Sequence, residues 1–140
     1  MKKKNWRKAL LNQNSSIKSA IKSLNKNALQ IVLVTNNFNQ LVGTLTDGDI
    51  RRALIKNSDL NRSIKNIINK KPITAYNSTS QLKINNLMME NDIRHLPIIS
   101  KKNKKIIDLK FQIESTKIKN IKNKFIIMAG GKGVRLLPYT

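Results

Sequence analysis

Two groups of residues have types and spacings suited to holding phosphates. Toward the C-terminal end, the apolar run Phe125-Ile126-Ile127-Met128 leads into Ala129-Gly130-Gly131-Lys132-Gly133-Val134-Arg135. The pattern predicts a buried strand, a glycine loop and a basic residue where a helix begins. Gly130, Gly131 and Gly133 would let the backbone approach a polyphosphate closely, N–H groups toward the anion, while Arg135 adds positive charge. The other group is Thr46-Asp47-Gly48-Asp49, followed by Ile50-Arg51-Arg52-Ala53-Leu54. A helix starting near Asp47 would turn its N-terminus toward an anion, with the Asp49 carboxylate a hydrogen-bond acceptor beside it. Arg51 or Arg52 would add charge. The same residues also fit a capping box, in which Thr46 caps the helix and Asp49 reaches back. Such a cap is worth about 1 kcal/mol with no ligand at all. Both readings stand at the level of sequence.

Other chemistries find little support. There is no G-x-x-x-x-G-K-[ST] sequence, and Leu136 after Arg135 breaks the G-x-G-x-x-G spacing. The chain has no cysteine, which excludes disulfides and thiolate metal sites. Its seven carboxylates are scattered without ligand spacing, so no metal site is expected. His95, the one histidine, stands beside Arg94 with no acidic partner in register and reads as a packing or rim residue. No apolar run approaches the ~20 residues that span a bilayer, and Met1-Lys2-Lys3-Lys4 precedes no signal-like core. A cytoplasmic protein without a membrane partner is expected.

The net charge of +21 suggests a nucleic-acid binder, but its make-up argues otherwise. Lysines number 22 and arginines 6, while Asn (19) and Ile (20) are equally abundant. All three inflated residues have AT-rich codons. A dedicated nucleic-acid surface would favour Arg for bidentate contacts and aromatics for stacking, yet aromatics are 4%. No specific nucleic-acid partner is expected, although the field would attract nucleotides.

The elements that must position these residues form a repeat. Two segments superpose at an offset of about 64 residues, which predicts two gapless copies. In the first, Ile17, Ala20, Ile21 and Leu24 mark a helix. Leu29 to Val34 make a strand, Asn36, Asn37 and Asn39 a turn, and Leu41 to Thr46 a second strand. A helix with Ile50, Ala53 and Leu54 closes the unit. In the second, Ile84, Leu87 and Met88 mark the helix, Arg94 to Ile99 a strand, Lys101 to Lys105 the turn, and Ile106 to Leu109 the last strand. Gly43, Thr46 and Asp49 then align with Ile107, Lys110 and Ile113, so the second copy lacks the polar set. Each copy reads as helix–strand–strand–helix and is too small to bury its own faces unless the two pair. Between them, Asn69-Lys70-Lys71-Pro72 ends a helix through Ile64, Ile67 and Ile68, and Pro72-Ile73-Thr74 continues as an extended segment. Met88 and Met89 read as core filler, and Trp6 as an anchor for the basic N-terminal segment.

The repeat, with its Gly43-x-x-Thr46-x-x-Asp49 pattern and the strand Arg94-His95-Leu96-Pro97-Ile98-Ile99, resembles a cystathionine-β-synthase (CBS) domain pair over roughly residues 8 to 114. The resemblance implies an α/β (α+β) fold of tandem repeats, homodimerisation through their helices, and an adenine nucleotide at Thr46 and Asp49. At most one well-formed site per pair is expected. The segment Gly130-Gly131-x-Gly133-x-Arg135-Leu136-x-Pro138-x-Thr140 resembles the opening signature of sugar-phosphate nucleotidyltransferases, with Val134 where that family usually has Thr. It implies the first strand and loop of a Rossmann-like catalytic domain. There Arg135 would act in catalysis, with Gly130, Gly131 and Gly133 around a nucleoside triphosphate and Mg²⁺. The expected organisation is a first repeat with an N-terminal extension (1–69), a second repeat (70–114), a linker (115–124) and the start of a transferase domain (125–140). As it stands, such a chain is expected to have no transferase turnover.

Overall fold

The computed structural model describes residues 5–56 and 59–112. Two three-stranded sheets carry the architecture. Strand β1 (Leu10–Asn12), helix α1 (Ile17–Asn27), strands β2 (Ile31–Thr35) and β3 (Leu41–Thr46) and helix α2 (Asp47–Ile55) form the first unit. Strand β4 (Ala75–Tyr76), helix α3 (Gln81–Glu90) and strands β5 (His95–Ile99) and β6 (Ile106–Phe111) form the second. The sheet orders are β1-β2-β3 and β4-β5-β6. In each, the outer strand runs parallel to the middle one and the hairpin is antiparallel.

Local sequence explains the helix starts and stops. Ser16, Thr46 and Ser80 cap α1, α2 and α3, each side chain accepting from the backbone N–H three residues on. Helix α1 ends at Ala28 in the left-handed region (φ 50°), and Gln30 repeats the turn (φ 58°). Two such residues delay the strand: β2 begins at Ile31 rather than Leu29.

Side-chain alternation along β2 divides the core. Val32 and Val34 face Ile17, Ala20, Leu24, Leu45 and Ile50 beneath the first unit's helices. Ile31 and Leu33 face the other way and pack with Leu29, Ala9 and, from the second sheet, Leu109. Trp6 packs against this shared layer, as expected of an anchor. A third cluster, Ala75, Ile84, Met88, Leu96 and Ile98, seats α3 on the second sheet. The hairpin turns are also joined: Leu41 N donates to Lys104 O (3.1 Å) and Gln40 Nε2 to Asn103 O (3.0 Å).

Several expectations need correction. Each unit has a third, parallel strand, and the chain past Gln112 lies outside the described residues, so the second unit is described only as β4-α3-β5-β6. The helix expected through Ile64, Ile67 and Ile68 is a single 3₁₀ turn, Ile64–Asn66. The backbone of this region is drawn away to other partners: Ile64 N donates to Ser15 O (2.9 Å), and Asn69 pairs with Thr44 in both directions. The extended segment after Pro72 enters the sheet only at Ala75–Tyr76. Met88 is buried, but Met89 is 71% exposed and fills no core.

The repeat is not gapless. Strands β2 and β5 correspond at an offset of 64, Ile31 to His95, but the pairings Ile31↔Thr46 and His95↔Phe111 put β3 and β6 at 65. The second hairpin turn holds one residue more, and both hairpins carry the same bulge, skipping Val42 and Ile107. Gly43 therefore corresponds to Asp108 and Thr46 to Phe111, not to Ile107 and Lys110. Asp49 corresponds in sequence to Glu114 rather than Ile113; both lie outside the described residues.

Candidate functional site

The end of β3 and the start of α2 meet in a cleft of about 630 Å³ between the two units. Thr44, Thr46, Asp49 and Arg52 line it from the first unit. Asn69 and Ile73 come from the connection, and Arg94, His95 and Pro97 from the second unit. A smaller hollow of about 440 Å³, over Asp47 and Gly48, shares Thr46 and Gln30 with it.

The capping box is fully formed. Asp49 N donates to Thr46 Oγ1 (3.4 Å), while Asp49 Oδ2 accepts from Thr46 N (2.8 Å) and Thr46 Oγ1 (2.7 Å). The other carboxylate oxygen, Oδ1, accepts from Arg52 Nη2 at 2.6 Å. Asp49 is thus held rigidly in the cleft wall, its side chain 18% exposed, whereas that of Arg52 is 71% exposed. Arg51 instead pairs with Asp47 (2.8 Å) and does not line the cleft. Of the two arginines considered from sequence, Arg52 is the one at the site.

Gly43, the first residue of the motif, serves close approach. A Cβ there would lie 2.6 Å from Asn69 O, the carbonyl that accepts from Thr44 N. The glycine lets the connecting segment lie flat on β3, and that contact brings Asn69, Pro72 and Ile73 to the cleft rim.

In the second unit Phe111 stands where Thr46 stands in the first, and its ring meets His95 edge-to-face (centroids 5.6 Å apart, 83°). A hydrophobic ring replaces the hydroxyl, so the second unit lacks the threonine of the motif, while Glu114 keeps a carboxylate in the sequence at the place of Asp49. His95 lies at the cleft rim. Gly130, Gly131, Gly133 and Arg135 lie outside the described residues. Among the described residues no cluster of metal-ligating side chains occurs. No helix among them is long and apolar enough to cross a membrane.

Sequence reasoning found Thr46 and Asp49 but missed Asn69, Arg94 and Thr44 as lining residues. Arg94 reaches the cleft through the pairing of the units, and Asn69 through its two hydrogen bonds to Thr44 on β3. The one available signal was the repeat itself: Arg94 precedes the strand equivalent to β2, and Gln30, in that place in the first unit, lines the cleft too.

Fold and cleft together define, among the described residues, a tandem module of two similar α+β units with a polar cleft between them. The model of the CBS domain matches residues 9–56 and 64–109, most of the chain, and the protein belongs to this family. Among solved structures it is similar to a CBS domain protein from Pyrobaculum aerophilum complexed with AMP (23% identity, TM-score 0.65, 73% of this chain and 78% of that one). It is also similar to the CBS domain pair of protein MJ0100 in complex with 5′-methylthioadenosine and S-adenosyl-L-methionine (24%, TM-score 0.64, 73% and 79%). The cytosolic domain of the Mg²⁺ channel MgtE in complex with ATP is a further fold neighbour (17%, TM-score 0.63, 73% and 41%). An uncharacterized protein of Helicobacter pylori strain J99 is 36% identical over 63 residues, 45% of this chain. That match spans only 19% of the relative's length.

Proposed function

We propose that this CBS pair is a ligand-sensing module that binds one adenine nucleotide per chain in the cleft at Thr46 and Asp49. The observation that carries the reading is the joint placement of a capped helix N-terminus, a fixed carboxylate and a guanidinium in a cleft between the units. The Asp49 carboxylate suits ribose hydroxyls, and the first turn of α2 with the Thr46 hydroxyl suits phosphate. Adenine nucleotides and adenosyl compounds in the neighbouring structures support the same class of ligand. Titration calorimetry with AMP tests it, with one site per chain expected. The double variant T46A/D49A should weaken binding about tenfold or more, since hydrogen bonds to a charged group contribute about 1.5–3 kcal/mol each. Two equivalent sites, or unchanged affinity in the variant, would refute it.

We propose further that the module regulates a sugar-1-phosphate nucleotidyltransferase in nucleotide-sugar synthesis, beginning near Phe125. Gly130, Gly131, Gly133 and Arg135 support this through their spacing. Such an enzyme would hold a nucleoside triphosphate at that loop, with Mg²⁺ offsetting the charge. In the protein that carries this loop, R135A should slow pyrophosphate release from sugar 1-phosphate and nucleoside triphosphate about tenfold or more; unchanged release would overturn the assignment. A homodimer through the helices belongs to the same proposal. Leu82 and Met89 on α3 and Ile55 on α2 leave apolar surface exposed (72%, 71% and 76%). Light scattering should find a dimer that L82K/M89K converts to monomer.

A further inference from the structure

Resting on the nucleotide reading, we propose that Arg52 selects the phosphorylated ligand by exchanging partners, from Asp49 in the empty cleft to the ligand's 5′-phosphate in the filled one. The two oxygens of Asp49 are held differently. Oδ2 is fixed by the Thr46 backbone and hydroxyl as part of the cap, which the helix needs whether or not a ligand is bound. Oδ1 is held only by the guanidinium of Arg52, at 2.6 Å. With Oδ2 filled by two donors, Oδ1 has one lone pair free, so a ribose that donates both of its hydroxyls to Asp49 must displace Arg52 from the other.

The position of the guanidinium gives it somewhere to go. Its Nη1 lies 3.5 Å from where a Cβ on Gly48 would be, over the first turn of α2. That is the positive end of the helix, an unfavourable place for a cation and a favourable one for an anion. Arg52 tolerates it because Asp49 supplies the negative charge. A phosphate over the same turn would take the carboxylate's place, offering the planar fork two oxygens in parallel. With a 71% exposed side chain, the guanidinium can re-aim at little cost. Gly48 puts no side chain between this turn and the guanidinium, and a Cβ there would make only ordinary contact with it. A nucleotide that brings a phosphate thus compensates Arg52 for the oxygen it surrenders. An uncharged nucleoside takes the oxygen and gives nothing back.

The consequence is a pair of opposite effects from one substitution. Calorimetry with AMP and with adenosine, on the wild-type chain and R52Q at one ionic strength, reads it directly. In the wild type AMP should bind about ten- to a hundredfold more tightly than adenosine. In R52Q the affinity for AMP should fall about tenfold while that for adenosine rises about two- to fivefold, because Oδ1 is freed. R52K, which keeps the charge but not the fork, should retain part of the preference. A purely structural role would move both ligands in the same direction, and that result would overturn the exchange while leaving the nucleotide site intact. Equal wild-type affinities for AMP and adenosine would do the same. If neither ligand binds the wild-type chain, the nucleotide reading itself fails and the role of Arg52 with it.

Discussion

At the residue scale, the motif Gly43-x-x-Thr46-x-x-Asp49 divides into three jobs that sequence alone separates only in part. The cap was legible, because Thr followed by Asp three residues later is a local signal and needs only a helix to act on. The reason for Gly43 was not, since it lies in a carbonyl 26 residues away, Asn69 O. A methyl group on Gly43 would have to push the connecting segment off β3, opening the two Thr44–Asn69 hydrogen bonds. G43A should therefore destabilise the module by about 1–3 kcal/mol, the usual cost of overpacking. Urea denaturation would report the change as a lower midpoint. Because the same contact places Asn69 and Ile73 at the cleft, AMP affinity should weaken in parallel.

At the element scale, the long elements were legible and the short ones were not. Helix α1 and strands β2, β3 and β5 are apolar and periodic over five residues or more. Strands β1 and β4 are three and two residues long, below any periodicity, and exist because a buried middle strand has a free edge beside it. The extra residue in the second hairpin turn escaped detection for another reason. Ile106 and Ile107 are both apolar, so a one-residue slip leaves the pattern nearly unchanged while turning every side chain to the other face. The junction between α1 and β2 offers a direct test of local backbone conformation. Ala28 is exposed and sits at φ 50°, where a Cβ is unfavourable and glycine is not. A28G should raise stability by about 0.5–1 kcal/mol, the relief of the left-handed strain less the added chain entropy. If the urea midpoint falls instead, the α1 cap is not as described.

At the scale of the whole molecule, the charge of +21 acts on everything and specifies little. Among the described residues only three ion pairs form, Arg51–Asp47, Arg52–Asp49 and Lys110–Asp108, so most of the positive charge is not locally balanced. A compact chain with this excess repels itself, and the repulsion relaxes on unfolding. Salt should therefore stabilise the fold: the Debye length falls from about 10 Å at 0.1 M to about 3 Å at 1 M, shorter than most spacings on such a surface. The same screening weakens attraction for an anionic ligand. Raising NaCl across that range should thus raise the melting temperature of the free chain while lowering its affinity for AMP, and adenosine affinity should hardly move. A melting temperature that falls with salt would mean that specific ion pairs, rather than net repulsion, dominate the electrostatics. Binding to random DNA should vanish over the same range, as expected of attraction without readout. That loss would separate the general field of the lysines from the local chemistry of Thr46, Asp49 and Arg52.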